Sequence, residues 1–370
     1  MKKSFILVST IFILVAQDDF FEPGYSIGGY GEIHWNQEMD KDGNKTKNKL
    51  DFHRFVLFFG YNYSEKWSFK SEIEIEHNMI GGKENEEKTT DDLGEVYQDT
   101  HIKYAGELEL EQAYINYHSG NWGFRAGVLL ASAGYINETH EPPTFLSVER
   151  PDYAIYVIPT TWFGNGFGFY GNFSGIDWKI NFLEDMKASG IGDGIRDARG
   201  KGYKTTAYNW TKNVRLDYIG MQGINVGGSI TINDAPLTFN NSGSADESIG
   251  VSLMEFHGSY NANNLIATME YGNITYTNNT LAEGTSGFYI DLGYDVSKMF
   301  NCEGKLIPWF RYGNVQKDVD DTTSHYNVMT IGLSYFPIDQ IAFKLDYGTK
   351  AYDDEAYNKT LMNIGVGYMF

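Results

Sequence analysis

The chain has 370 residues with 27 Tyr, 24 Phe and 41 Gly but only 8 Pro, and its formal charge is −20 at pH 7. This charge argues against binding to nucleic acid or to an anionic membrane surface, and the single cysteine, Cys302, excludes an intrachain disulfide framework. The wealth of aromatic residues and glycine favours many β-strands joined by tight turns.

The chain begins with a basic and then apolar segment, MKKSFILVSTIFILVA, at residues 1–16. Two lysines, an apolar core and Ala16 before a polar stretch are typical of a secretory signal peptide. The apolar run, about a dozen residues, is shorter than the roughly 20 that a membrane-spanning helix needs. We therefore expect export, with cleavage near Ala16 although Leu14 is larger than the residue usual there, and with residues 17–23 as the leader of the mature chain.

Segments with period-two alternation follow almost to the last residue, so that residues 24–370 are predicted to form one β domain. Each segment is close to the roughly 9–11 residues with which a tilted strand crosses a bilayer. We expect sixteen strands, at 25–35, 51–62, 66–79, 107–118, 122–131, 165–174, 176–186, 212–220, 223–233, 249–261, 264–276, 285–296, 304–315, 325–336, 340–350 and 359–370.

The connections alternate between short turns, such as NYSEK and SGN, and long polar stretches. The long stretches include 37–49, 80–106, 132–164, 187–211 and 234–247. Outer-membrane barrels have short periplasmic turns and long extracellular loops. This pattern predicts an all-β, transmembrane, antiparallel barrel of about sixteen strands in the bacterial outer membrane, with both termini periplasmic.

The stretch KWSFKSEIEIEH at 66–77 carries apolar residues at one parity and Glu72, Glu74 and Glu76 at the other. A soluble sandwich would bury the apolar face, whereas a membrane barrel turns it to lipid and turns the charged face to an aqueous lumen. The signal peptide and the sorted loops favour the barrel, so we expect these glutamates to line water.

Residues 138–165, ETHEPPTFLSVERPDYAIYVIPTTWFGN, resemble a signature of the phosphate-selective porin O/P family, as do LEQAYINYHSGNWGFRAGVLL before them and GDGIRDARGKG at 192–202. The resemblance implies a sixteen-stranded and usually trimeric porin, whose third loop folds into the pore and narrows it. In this chain that loop is 132–164, stiffened by four prolines. The candidate residues of this constriction loop are Glu141, Glu149, Arg150 and Asp152.

Charged residues of the inward parity are the candidates that line the pore. They are Arg54, Lys70, Glu72, Glu74, Glu76, Arg125, Lys179, Arg215, Glu255, Glu270, Arg311 and Lys344, with further acids at Glu32, Asp177, Asp217, Asp291 and Asp346. Rings of one sign select ions of the opposite sign, and phosphate selectivity in the family depends on a ladder of arginines. Acids outnumber bases here, which favours weak or cation-leaning selectivity, and we expect each arginine to pair with a carboxylate more often than to bind an ion.

The function that these observations favour is passive diffusion of small hydrophilic solutes and ions. The alternative is a surface-exposed adhesin or binding barrel with a plugged lumen. No G-x-S-x-G, H-E-x-x-H or calcium-loop motif occurs, so we expect no catalysis, metal site or cofactor. Expected partners are outer-membrane lipid, surface glycolipid, small solutes or ions, the barrel-assembly machinery through the C-terminal Phe370, and two further copies in a homotrimer, but not nucleic acid.

Overall fold

The computed structural model describes residues 23–78, 85–90, 96–101, 106–192, 194–239 and 245–370. The predicted signal peptide and most of the leader lie outside these residues. The strands are β1 Gly24–Asp40, β2 Lys45–Asn62, β3 Trp67–Glu76, β4 Asn85–Thr90, β5 Val96–His101, β6 Leu108–Ser119, β7 Trp122–Leu130, β8 Phe163–Phe173, β9 Ile176–Leu183, β10 Thr211–Tyr218, β11 Ile224–Phe239, β12 Ala245–Ala262, β13 Leu265–Thr277, β14 Gly284–Tyr294, β15 Lys305–Gln316, β16 His325–Ile338, β17 Ile341–Tyr352 and β18 Lys359–Met369.

Sixteen of these strands form one closed antiparallel barrel, and β4 pairs with β5 in a separate hairpin between β3 and β6. Each of the sixteen predicted strands overlaps one barrel strand, so the predicted fold class is confirmed. The described helices are single turns, α1 at Tyr153–Tyr156 and α2 at Ser297–Phe300, besides short 3-10 turns. No described helix is long and apolar enough to cross a membrane.

Several strands extend beyond the bounds that alternation predicts. Residues 37–49 are not a loop, because β1 and β2 remain paired as far as Met39 and Lys45 and turn within 41–44. Likewise β11 and β12 continue to Phe239 and Ala245 through much of the predicted loop 234–247. In β1 and β2, predominantly polar side chains on both faces hide the extension from a hydrophobic pattern, whereas backbone pairing does not depend on side-chain polarity.

The barrel closes where β1 meets β18, from Tyr30 beside Met369 to Asp40 beside Lys359. The backbone amide of Gly29 donates to the carbonyl of Phe370 over 3.0 Å, and the amide of Phe370 donates back over 2.9 Å. Gly24 pairs with Asn62 next to the turn 63–66, and Met369 bonds to Gln340 in the turn 339–340. The first strand therefore begins, and the last strand ends, at the rim of the barrel that carries the short turns.

The two faces of the wall differ in chemistry as alternation predicts. On β11 and β12 the side chains of Ile230 and Phe256 are 51% and 56% exposed on the outside. On the inside of the same strands Glu255 and His257 are 1% and 3% exposed. The apolar surface therefore faces outward around the cylinder, and the polar surface faces the lumen.

A β-bulge in β6 changes the inward parity of that strand. Gln112 pairs with Glu72 and Leu110 pairs with Ile73, which leaves Glu111 without a partner on β3. Because a bulge inserts one residue into the alternation, Glu111 and Gln112 are consecutive and both buried. The sequence carries a trace of this slip, since the outward apolar residues change from Leu108 and Leu110 to the odd positions from Ala113 onward.

Gly29→Ala should weaken the closure of the barrel. A Cβ atom at this position would lie 2.2 Å from the carbonyl oxygen of Val56 and 2.9 Å from the ring of Phe370. Overpacking of this kind costs about 1–3 kcal/mol, so the variant should lose its folded, heat-modifiable form on electrophoresis at a lower urea concentration. Gly258→Ala is the matched control, because its Cβ would come no nearer than 3.7 Å to another residue. Equal midpoints for the two variants would contradict the role of Gly29.

Candidate functional site

The connection between β7 and β8, residues 131–162, lies inside the barrel, and we call it the lumen loop. Its two ends meet, since the amide of Ala131 donates to the carbonyl of Trp162 over 2.8 Å. The fully buried Asn137 joins them from within, donating to the carbonyl of Ala131 at 2.8 Å and accepting from the amide of Trp162 at 3.0 Å. The loop is thus a closed lobe that projects from one wall.

Polar side chains of β9 and β10 hold the first part of the lumen loop. Glu138 accepts from Lys179 at 2.5 Å and lies 3.2 Å from Nη1 of Arg215. The amide of Asn181 reaches the hydroxyl of Ser132 at 2.9 Å. Burial alone would raise the pKa of the Glu138 carboxyl, but the charges of Lys179 and Arg215 lower it to about 2.

The opposite wall holds the middle of the lumen loop. Lys344 on β17 donates to the carbonyls of Pro142 and Ser147 at 2.6 and 2.8 Å. Asp346 accepts from the amide of Val148 at 2.7 Å. Glu149 accepts from His34 of β1 at 3.0 Å, and this bond outweighs the effect of burial and lowers the pKa of Glu149 to about 2. The loop therefore crosses the lumen and is attached on both sides.

An apolar cluster fixes the last part of the lumen loop. Four apolar side chains of the loop are at most 4% exposed: Tyr153, Val157, Ile158 and Trp162. They form one cluster with inward residues of the wall and with the segment 184–210. The wall contributes Leu253, Ile274 and Tyr289, and the segment contributes Met186, Ile191 and Ile195. Arg199 of that segment donates to the carbonyls of Thr160 and Thr161 at 2.7 and 3.1 Å. Part of the barrel interior is therefore a dry core rather than an aqueous channel.

Three of the predicted pore-lining arginines are paired with carboxylates, as expected. Arg54 lies 2.9 Å from Glu32 and 2.8 Å from Glu74. Arg311 forms a double contact with Asp291, both bonds 2.6 Å long. Arg215 binds Asp217 through two bonds of 2.7 and 2.9 Å. These contacts connect side chains of the wall and neutralise the charges of the three arginines.

Other predicted residues have different partners. Arg125 stacks 4.4 Å from the ring of Tyr170 and 5.3 Å from that of Tyr114, and Lys70 lies 5.8 Å from the ring of Phe58. The carboxylate of Glu255 is 2.6 Å from His257, and that of Glu270 accepts from the amide of Tyr135 at 2.6 Å. The remaining members of the set are Glu72, which accepts from Gln112, and Glu76, 3.9 Å from Arg54.

Three of the four predicted residues of the lumen loop line a cleft between the loop and the wall of β14–β18. Its charged lining comprises Glu149, Arg150, Asp152, Arg311 and Asp346. Asp152 accepts from Lys350 at 2.5 Å. Within the described ranges, Arg150 donates to two uncharged groups, the hydroxyl of Thr160 at 3.0 Å and the carbonyl of His140 at 3.1 Å. Glu141 is half-buried on the same loop, away from this cleft.

Four residues of this interior escaped the sequence prediction: Glu111, His34, His140 and His257. Glu111 lies at the bulge, where simple alternation gives the wrong parity. The three histidines are 3–4% exposed, and each contacts a carboxylate of another element: His34 contacts Glu149, His140 contacts Glu111 and His257 contacts Asp217. Their contacts join residues far apart in sequence, and only the change of apolar parity in β6 could have revealed one of the four.

The chain is 29% identical over 377 residues to an uncharacterised protein of Aquifex aeolicus (strain VF5), a match that covers 94% of this chain and 80% of that protein. No family model matches the chain, so the resemblance to the phosphate-selective porin O/P family stays a prediction.

Solved structures share the architecture at low identity, each match covering 94% of this chain. An anion-selective porin from Comamonas acidovorans is 10% identical, with a TM-score of 0.61 over 100% of its chain. OmpF of Salmonella typhi, in complex with daunomycin, is 11% identical, with a TM-score of 0.59 over 97%. The trimer form of OmpT, an outer membrane protein of Vibrio cholerae, is 10% identical, with a TM-score of 0.55 over 99%. The fold is that of an outer-membrane porin.

Glu138→Gln should lower the free energy of unfolding at pH 7 by about 1–3 kcal/mol, because it removes the half-buried carboxylate that pairs with Lys179 and with the buried Arg215. The pKa of Glu138 is lowered from its ordinary 4.5 to about 2, so its contribution is present above about pH 4.5 and is lost as the pH falls towards 2. Urea unfolding should therefore separate the variant from the natural protein at pH 7 but not near pH 2. Glu141→Gln, on the same loop and without an ion-pair partner among the described residues, should have little effect at either pH.

Proposed function

We propose that this chain is an outer-membrane porin through which small hydrophilic solutes and ions diffuse passively. The observation that carries the proposal is a closed sixteen-stranded barrel with an apolar exterior and a charged interior. In hydrocarbon every backbone amide and carbonyl needs a partner within the protein, and closure supplies it. The same surface would be unfavourable in water, since large exposed apolar areas promote association.

The proposed path for solutes passes beside the lumen loop, along the cleft lined by Glu149, Arg150, Asp152, Arg311 and Asp346. In this role residues 132–164 form the constriction. Because Arg54, Arg215 and Arg311 of the wall are neutralised by carboxylates, the net field in the pore is set by the excess acids together with Arg125 and Arg150. This arrangement supports weak, cation-leaning selectivity rather than a phosphate-specific channel.

The sequence and the similarity to known porins support proposals for export, membrane insertion and oligomeric state. A signal peptide at residues 1–16 would bring the chain to the periplasm, where the barrel-assembly machinery would insert it with Phe370 at the seam and both termini periplasmic. The resemblance to the O/P porin family and the printed trimer form of the Vibrio cholerae protein support a homotrimer. Outer-membrane lipid would surround the apolar exterior, and surface glycolipid would contact the long loops.

One feature favours the alternative of a binding barrel with a plugged lumen. The lumen loop and the segment 184–210 share an apolar core with the inner wall of β12–β14, which fills part of the interior. A plug of this kind leaves ion flow to the remaining cleft. Conductance separates the two functions.

Purified protein in a planar bilayer should produce discrete conductance steps, and in a KCl gradient the reversal potential should have the sign for cation preference. Arg150→Gln removes a cationic group from the cleft and should shift the reversal potential further in that direction. The control Lys204→Gln removes the same charge from an exposed position of the segment 184–210 and should leave the reversal potential unchanged. Absence of steps from correctly folded protein would reject the porin in favour of the plugged barrel.

Ile230→Lys should destabilise the barrel in lipid by about 2–4 kcal/mol, since a lysine on the lipid face near the middle of a bilayer is desolvated. Ile230 is 51% exposed on the outside of β11. Thr268→Lys, on the inward parity of β13 beside Asp291, is the matched control and should cost less. Unfolding in vesicles measures both, and a larger loss for Thr268→Lys would contradict a lipid-facing exterior.

A further inference from the structure

A group of buried hydrogen-bond acceptors lies where β3, β6 and the lumen loop meet. We call Glu72, Glu111 and His140 the acceptor cluster; their exposed fractions are 2%, 0% and 3%. One ligand atom from each lies within 4.8 Å of the other two. The three residues come from three separate elements, and the bulge in β6 brings Glu111 to this position.

Several atoms here lack the partners that buried polar atoms normally have. Neither carboxylate oxygen of Glu111 has a hydrogen-bond partner among the described residues, and neither does Nε2 of His140. The hydroxyl of Tyr30, which is fully buried with its ring 6.2 Å from that of His140, also has none. Leaving such groups without a partner is unfavourable, most of all when they are charged, so the arrangement requires a ligand or a proton.

The hydrogen bond at the other side of the His140 ring determines which nitrogen faces the cluster as an acceptor. Nδ1 lies 2.9 Å from the carbonyl oxygen of Asn137, which can only accept, so Nδ1 carries a proton. In the neutral ring, Nε2 then directs a lone pair towards Glu72 and Glu111. This is how a metal-binding histidine is usually oriented, with the distal N–H held by a backbone carbonyl.

The distances fit an intervening ion better than direct hydrogen bonds. Nε2 of His140 is 3.8 Å from Oε1 of Glu72 and 3.7 Å from Oε2 of Glu111, and both exceed the length of a good N–H···O bond, about 3.2 Å at most. Zinc binds nitrogen and carboxylate oxygen at about 2.0–2.2 Å, so two ligands of one ion can lie up to about 4 Å apart. The other oxygen of Glu72 is held by Gln112, which leaves Oε1 directed at the cluster.

Nearby cations are directed elsewhere. Arg54 contacts Glu32 and Glu74, and Lys201 contacts Glu107 and Glu109. The ammonium group of Lys70 lies 5.8 Å from the centre of the Phe58 ring. The competitor of a metal ion is a proton, because Glu111 raises the pKa of His140 against the opposing effect of burial.

We propose that Glu72, Glu111 and His140 bind a divalent first-row transition-metal ion, with Zn²⁺ as the representative. One imidazole nitrogen among the donors favours such an ion over Ca²⁺ or Mg²⁺, which prefer oxygen ligands alone. The ion joins the lumen loop to the strands β3 and β6. It thereby adds an attachment at β3 and β6 to those that Glu138 and Lys344 make elsewhere on the wall, and it limits the movement of the loop across the pore.

Metal content of the folded barrel tests the proposal. Protein stripped with a chelator and dialysed against Zn²⁺ should retain about one equivalent per chain by mass spectrometry. Glu111→Gln and His140→Gln should each lower the affinity by at least about 100-fold, because outer-shell changes alone cost 10–100-fold. The matched controls are Glu76→Gln, a half-buried acid of β3 outside the cluster, and His77→Gln, which disrupts the half-exposed group Asp51, His53 and His77. Both controls should keep the ion.

Two results would overturn the proposal. If the natural protein retains no Zn²⁺, the cluster holds a proton instead. If His77→Gln abolishes Zn²⁺ retention and the cluster variants do not, the ion is bound by the other group. X-ray absorption of the Zn²⁺-loaded natural protein decides the matter if the cluster variants do not fold. One imidazole and oxygen ligands support the acceptor cluster, whereas two imidazoles indicate the group containing His53 and His77. The porin function is independent of this result, since conductance tests it separately.

Discussion

Closure of the sheet is the constraint on which the rest of this structure depends. A strand edge in hydrocarbon would leave amides and carbonyls without partners, and here β1 and β18 remove the edge with a ladder from Tyr30 to Asp40. The seam explains why Gly29 is glycine, because the carbonyl of Val56 and the ring of Phe370 leave no room for a side chain. A cylinder of sixteen strands then has an interior that side chains alone do not fill.

The lumen loop provides partners for the polar side chains that point into this wide interior. Charged side chains that point inward need either water or a partner, and much of the wall is paired with the loop backbone or with carboxylates. Lys344 is the clearest example, since it has two carbonyls of the loop as acceptors. The result is a lumen that is part dry core and part charged cleft, and the acceptor cluster is the place where this pairing stays incomplete without an added ion or proton.

Alternation in the sequence predicts most of the fold because it reports a local property, the direction of successive side chains. All sixteen barrel strands are predicted, but β1 pairs with β2, and β11 with β12, further towards the connecting turn than alternation indicates, because beyond the apolar belt nothing selects one parity. The candidate site was predicted in part. Arg54, Arg215 and Arg311 lie inside with carboxylate partners as expected, whereas Glu72 and Glu74, which were expected to line water, are only 2% and 1% exposed.

The sequence by itself determined the class of fold, the number of strands and the chemistry of each face, since these depend on residues two positions apart. Only the tertiary structure decided which residues meet across the lumen. Glu111 reaches His140 because a bulge shifts its strand by one residue and because a loop anchored at Asn137 returns into the barrel. Contacts of this kind depend on closure and loop packing, which no local spacing encodes.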